Sequence, residues 1–445
     1  MKKVITYGTY DLLHIGHIKL LERAKALGDY LIVGVTADDF DKKRGKINVQ
    51  QSLMERIEAV RATGLADKII IEEYEGQKID DIQKYDVDIF TVGSDWIGKF
   101  DYLKEYCDVI YLERTKGISS SDIRISSNKI RVGIIGDNNL VVKYYNECKY
   151  VNGIELSGVY TNNLALLSAQ MQDLYIFNED DDLIENADAV IVASHPAQHY
   201  ATIKKCLIKG KHVLCEAPLT IKKEETLELL NMAEQNNCIL FDSIKTAYAT
   251  AYARALLLIK GGKIGEVVSI SATCTSLFEA INQSNETSYK KWNSICAWGP
   301  TAFLPILQLF GVNYKELRIV SKMLKEGFDG FSEVVFIYDK SIATATVGKA
   351  VKSEGELIVS GTEGYVYIPA PWWKTDYFEI RYENTTDNKR YFYQLDGEGI
   401  RNEIVSFVRS IKNNKSLSKI SASESIAISS IIESFNNKDN MTLLD

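Results

Sequence analysis

Two groups of side chains near the start of the chain have the types and spacing to grip phosphate. The first is H-I-G-H, His14 to His17, closing the stretch YGTYDLLHIGH and taking two of the five histidines in 445 residues. A strand end, then Asp11, then H-x-G-H at a helix start aims backbone N–H groups and two imidazoles at one point. Such a point suits an anion, because a helix N-terminus carries partial positive charge and donors without helical partners. Gly16 lets the backbone come close to a ligand. Histidines at i and i+3 face one side of a helix, so both can reach one phosphate. The second group is RTKGISSSDIR, residues 114–124, after the apolar run DVIYLE. Arg114 can fork onto phosphate oxygens, and the hydroxyls of Ser119, Ser120 and Ser121 with backbone amides can receive the rest of a triphosphate.

These groups need elements to hold them. KKVITYG, YLIVGVT, DKIIIEE and VDIFTVGSD read as strands, and IGHIKLLERAKALG, SLMERIEAVRATG and IDDIQKYD as helices between them. Nearly continuous Val/Ile runs separated by helices indicate a parallel, doubly wound sheet. After the polar stretch SSSDIRISSNK the pattern restarts at IRVGIIGDNN, and beyond about 250 it changes to alternating strands such as SEVVFIYD and SIATATVG. The expected fold is α/β: a Rossmann-like domain over 1–127, a second Rossmann domain over 128–245, and an α+β domain with a mostly antiparallel sheet over 246–445.

Composition narrows the partners. Net charge is −8 and no long run of like charge occurs, so a nucleic-acid partner is not expected, whereas a local basic pocket for a small phosphate fits. Seven cysteines are scattered without C-x-x-C, as for buried thiols in a reducing compartment. No 18-residue apolar run and no signal-peptide pattern is seen, so no membrane span and a cytoplasmic location are expected.

Residues 1 to about 125 closely resemble the glycerol-3-phosphate cytidylyltransferases, a branch of the H-x-G-H nucleotidyltransferases. The stretches VITYGTYDLLHIGHIKLLERAKALGDYLIVGVTADDF and VGSDWIGKFDYLKEYCDVIYLERTKGISSS carry the resemblance. The family's R-T-x-G-I-S-T-T appears here as R-T-K-G-I-S-S-S, hydroxyl for hydroxyl. The resemblance implies transfer of CMP from CTP to glycerol phosphate or a related alcohol phosphate, with release of pyrophosphate. His14, His17 and Arg114 are then the catalytic groups. Thr9, Tyr10, Asp11, Gly16, Arg44, Lys46, Asp95, Thr115, Gly117, Ile118 and Ser119 to Ser121 line the CTP site with Arg114. Arg44 and Lys46, in DKKRGK, match the family's lysine-rich loop. Mg²⁺ is expected to bridge the phosphates, with Asp11 as its nearest candidate and no ligand set defined. Arg56 and Arg61 are the expected acceptor contacts. The family's second arginine, eight residues after the first, is Gly64 here, which leaves the identity of the alcohol phosphate open.

Residues 130 to 440 resemble the glucose-fructose oxidoreductase/inositol dehydrogenase/MocA family through VGIIG, VIVASHPAQHYATIKKCLIKGKHVLCEAPLT, LIKGGKIGEVVSI and SGTEGYVYIPAPWW. The positions that do chemistry in that family differ. The second and third fingerprint glycines are Asn138 and Val141, and no acidic residue stands in VYTNN. The lysine of E-K-P is Ala217, and the D-x-x-x-H pair falls on Ala297 and Thr301, so no group there exchanges a proton near neutral pH. NAD(P) is therefore not expected. The fold would serve dimerisation, small-molecule sensing or docking of a neighbouring enzyme, and a homodimer is expected. His195 and His199, at a strand end, are the residues through which redox chemistry could be rescued. The alternative is a bifunctional enzyme that reduces a keto-triose phosphate and then activates the alcohol with CTP.

Overall fold

The computed structural model describes the chain except residues 14, 38–48, 50, 75, 114–128, 165–166, 168–170, 172–173, 278–292, 326–327, 394 and 396. It separates into two compact units, Met1–Lys129 and Ile130–Asp445.

The first unit alternates strand and helix: β1 Lys3–Gly8, α1 Ile15–Lys25, β2 Tyr30–Thr36, α2 Leu53–Ala62, β3 Lys68–Glu72, α3 Gln77–Tyr85, β4 Ile89–Gly93 and β5 Asp108–Leu112. The strands form one parallel sheet in the order β3-β2-β1-β4-β5. Because side chains alternate along a strand, β1 serves two cores at once. Val4 packs with Leu21, Ala24, Leu31, Val33 and Val60 on one face, and Ile5 and Tyr7 pack with Ile32, Ile82 and Phe90 on the other. Helices cover both faces, as a sheet of doubly apolar strands requires. A capping box starts α2, with Ser52 Oγ accepting from Glu55 N and Glu55 Oε2 accepting from Ser52 N at 2.7 Å.

The second unit opens the same way: β6 Ile130–Gly136, α4 Leu140–Cys148, β7 Ile154–Tyr160, α5 Asp180–Asn186, β8 Ala189–Ala193, α6 Pro196–Ile208, β9 His212–Glu216, α7 Lys223–Gln235 and β10 Leu240–Ser243. Its parallel sheet runs β10-β9-β8-β6-β7. There follow α8 Thr250–Lys260, β11 Val267–Leu277, α9 Ser294–Phe310, β12 Glu316–Lys325, β13 Phe328–Ile337, β14 Ile342–Gly348, β15 Ala350–Val351, β16 Leu357–Gly361, β17 Tyr365–Ile368, β18 Tyr377–Arg381 and β19 Lys389–Phe392. The chain closes with α10 Ile400–Asn413, α11 Ala422–Asn437 and β20 Met441–Leu444. The strands after α8 make a mixed sheet, antiparallel except where β11 pairs β14 and β12 pairs β20. The α/β class with two parallel Rossmann-like sheets and a mostly antiparallel third is thus what the chain adopts. Among the described residues no helix is long and apolar enough to cross a membrane.

Candidate active site

In a parallel sheet all strands end at one edge, and that edge is where α/β folds take ligands. In the first unit the segments singled out by sequence follow the C-terminal ends of β1, β2, β4 and β5. After β1 the chain makes two left-handed steps at non-glycine residues, Tyr10 (φ 53) and Leu12 (φ 48). Each costs on the order of 1–3 kcal/mol and persists only where the surroundings fix it. The surroundings do so. Tyr10 is buried with its ring edge-on to His17, centroids 5.6 Å apart. Asp11, also buried, accepts from Gln51 N at 2.9 Å through Oδ1, and Leu12 N donates to Gln51 Oε1 at 2.8 Å. Gly16 and His17 lie in the first turn of α1, with His17 partly exposed.

Arg56 supplies the tie beneath this loop. Its Nη1 donates to Thr9 O at 2.7 Å and to Thr36 O at 2.8 Å, and its Nε donates to Gln51 O at 3.2 Å. It is 0% exposed, so it joins the ends of β1 and β2 to the start of α2 from inside. Arg56, expected at the acceptor, has its guanidinium engaged by backbone carbonyls of three segments. Arg61 lies on the exposed face of α2 and pairs with Glu58. Gly64 has φ 66, so an arginine placed there would sit in the left-handed region.

His14, Arg44, Lys46, Arg114, Thr115, Gly117, Ile118 and Ser119 to Ser121 lie outside the described residues, as does the side chain of Asp95, whose backbone belongs to the turn Ser94–Trp96 after β4. The structure adds residues that sequence reasoning passed over. Glu72, the last residue of β3, is fully buried and accepts from Thr36 Oγ1 at 2.8 Å and from Lys78 Nζ. Lys78 also lies over the rings of Tyr7 and Phe100, at 4.7 and 5.5 Å. Beside it, Asp81 accepts from Tyr7 OH at 2.9 Å and from Gln77 Nε2 at 3.0 Å. The available signal was spacing: Lys78 and Asp81 fall at i and i+3 beside buried Ile82 on α3.

At the matching edge of the second unit, Asn138 Oδ1 accepts from Leu140 N at 2.8 Å while its Nδ2 donates to Glu216 Oε2 at 3.1 Å. Asp137 Oδ1 accepts from Asn162 N at 2.7 Å, past the end of β7. His195 caps α6, accepting from Ala197 N, and His199 is fully buried between Pro218 O and Ser194 O, both at 2.9 Å. Burial lowers the His199 pKa. Both histidines are thus used in holding backbone. Ser243 joins Tyr144 OH to Glu403 Oε2, each at 2.6 Å.

Burial pushes Glu216 and Glu403 up to about 8 and Asp242 up to about 7. A carboxyl whose folded pKa lies above its unfolded value stabilises fully below the unfolded value, and loses that stabilisation as pH rises through the folded one. The second unit is therefore expected to melt at progressively lower temperature as pH rises from about 4.5 to about 8. Glu403→Gln should flatten that dependence, and thermal melts in a series of buffers check both.

Comparison with known proteins fits this geometry. Residues 5–131 match the family described as cytidylyltransferase-like. The glycerol-3-phosphate cytidylyltransferase of Bacillus spizizenii is 56% identical over 124 residues, which are 28% of this chain and 95% of that one. The chain belongs to the cytidylyltransferase-like family. Its first unit is accordingly a nucleotidyltransferase, with the β1–α1 loop at the expected sheet edge.

The second unit is similar to other proteins. Residues 130–243 match the oxidoreductase family with an NAD-binding Rossmann fold. The scyllo-inositol 2-dehydrogenase (NADP(+)) of Bacillus subtilis is 26% identical over 267 residues, 57% of this chain and 80% of that one. A 3-ketoreductase from Actinomadura kijaniata, solved with NADP and TDP-benzene, superimposes with a TM-score of 0.62 at 15% identity, covering 72% of this chain and all of that one, and so shares the fold. These relatives weigh against the expectation that a nicotinamide nucleotide has no part in this half. The residues present fit that group poorly at its pyrophosphate: the Asn138 side chain already accepts from the first amide of α4, and Val141, fully buried, stands where the third glycine belongs. Ala217 follows Glu216 at the end of β9, and Ala297 and Thr301 share one face of α9 a turn apart.

Proposed function

We propose that the first unit transfers CMP from CTP to glycerol 3-phosphate or a closely related alcohol phosphate, giving CDP-glycerol and pyrophosphate. The observation that carries this reading is the β1–α1 loop: Thr9 to Leu12 locked from below by Arg56 and Gln51, delivering His17 at the head of α1. An oxygen of the acceptor phosphate attacks the α-phosphorus, the bond to pyrophosphate breaks, and charge builds on the α-phosphate oxygens. His14 and His17 donate to those oxygens. Such a step needs positioning and fixed electrostatics rather than a covalent nucleophile. Arg114, Ser119 to Ser121, Arg44 and Lys46 supply the further charge and hydroxyls that the triphosphate needs. A divalent cation, when bound, would offset phosphate charge. Asp11, held by the Gln51 amide, is the carboxylate of this loop that would meet it. The product suits synthesis of a teichoic-acid-like polymer or capsule.

We further propose that the second unit, a nucleotide-fold lobe over 128–245 and a sheet lobe over 246–445, does not reduce carbonyls with its family's groups. Ala217 and Ala297 carry no ionisable group, and the Thr301 hydroxyl does not ionise near neutral pH. Two assays test the whole reading. Pyrophosphate release with CTP is expected with sn-glycerol 3-phosphate and to be slower with glycerol 2-phosphate or pentitol phosphates; absence of release with every acceptor sinks the transferase. NADPH absorbance is expected to stay constant with dihydroxyacetone phosphate, and steady oxidation would establish the bifunctional alternative.

A further inference from the structure

Apart from the transferase site, the second unit draws three lysines onto one carboxylate. Lys143 comes from α4, Lys245 from just past β10, and Lys374 from the turn Trp372–Lys374 in the sheet lobe. Lys143 and Lys245 donate to Glu398 Oε2 at 2.8 and 2.5 Å, and Lys374 donates to Oε1. Each ammonium has three N–H groups. Among the described residues each gives one to Glu398 and none elsewhere, so two remain on every lysine. Among the described residues of this cluster, one carboxylate faces three ammoniums, an excess of two positive charges.

The fold commits backbone to this arrangement. Gly397, Glu398 and Gly399 take consecutive left-handed conformations, φ 60, 54 and 90, to present the carboxylate. Burial lowers the Lys245 ammonium, and the charges of Lys143 and Lys374 add to that effect against the pull of Glu398. The lysine side chains are 23–42% exposed, close enough to solvent to be met and far enough from it for their charges to act at strength.

The position is that of a ligand site. Lys245 lies at the C-terminal edge of the second parallel sheet, near enough to Glu216 for their charges to interact. Its neighbour Thr246 donates to Trp373 O at 3.2 Å. The Trp373 ring lies 4.8 Å from that of Trp298, the residue after Ala297. The cluster therefore lies at the C-terminal edge of that sheet and is linked through Thr246 and Trp373 to Trp298 of α9.

We propose that Lys143, Lys245 and Lys374 form a binding site for a dianionic phosphate monoester, such as a short polyol or keto-sugar phosphate, with Glu398 holding the ammoniums together. A dianion matches the excess charge, and three phosphate oxygens match the unused donors of ammoniums converging from three segments. The proposal does not rest on cytidylyl transfer, since every residue in it belongs to the second unit.

Isothermal titration of the full chain with inorganic phosphate and with dihydroxyacetone phosphate tests it, neutral dihydroxyacetone being the control. Saturable binding of both phosphates and none of the neutral ketone is expected. Lys374→Gln and Lys143→Gln should each weaken binding at least about tenfold, whereas Lys374→Arg should keep most of it. The same titration in His17→Ala removes the ambiguity of phosphate held by the first unit, and there binding is expected to be unchanged. The lysine variants should release pyrophosphate from CTP at the wild-type rate. The proposal fails if no saturable binding occurs, if both glutamine variants bind as the wild type does, or if His17→Ala abolishes the signal.

Discussion

Alanine in place of His14 or His17 is expected to slow CMP transfer by about a thousandfold and to leave the thermal unfolding of the chain unchanged. An imidazole N–H aimed at a phosphate oxygen acts where charge develops, in a site that spends no energy reorienting it. Its loss therefore falls on turnover rather than on substrate affinity. His17 can be removed without collapse because it stands in the first turn of α1, partly exposed, and touches Tyr10 at its edge rather than filling the core. Initial rates of pyrophosphate release at saturating CTP measure the effect. A near-normal rate in either variant would end the assignment of that histidine.

Arg56→Ala is expected to act on stability instead, by about 3 kcal/mol, a fall of about 10 °C in the melting temperature of the first unit. Three backbone carbonyls lose their donor, those of Thr9 and Thr36 in buried bonds and that of Gln51 in a partly buried one. Arg56→Lys should recover little, because one ammonium cannot span acceptors that the planar guanidinium reaches from Nε and Nη1 together. Transfer should slow as well, since Thr9 to Leu12 would no longer be held in their left-handed path. A melting temperature within about 2 °C of wild type would show that the carbonyls find other donors.

Arg56 also marks the limit of what could be read beforehand. The βα alternation, its restart near 130 and the change of texture after 250 were legible because each is written in local periodicity. The strand-to-helix junction that carries H-x-G-H was legible because it too is written locally, β1 ending at Gly8 and α1 starting at Ile15. Arg56 satisfies carbonyls 47 and 20 residues away, and nothing in LMERIEAVRA separates a buried arginine from a solvated one. Lys78 and Asp81 were hidden for the same reason: charges on a helix face look solvated until Glu72 and Tyr7 are brought opposite them. In the third sheet, alternation announces a half-covered strand whichever way its neighbour runs, so the parallel pairs β11–β14 and β12–β20 had no signature of their own. The lysines around Glu398 are gathered from separate segments by tertiary structure alone.

Every strand partner of β1 to β5 lies within the first 129 residues. During synthesis at about 5–20 residues per second, all five strands leave the ribosome while most of the second unit is still unmade. The first unit can thus close its cores for several seconds before the later strands arrive, and errors in the later unit need not reach back into the earlier one.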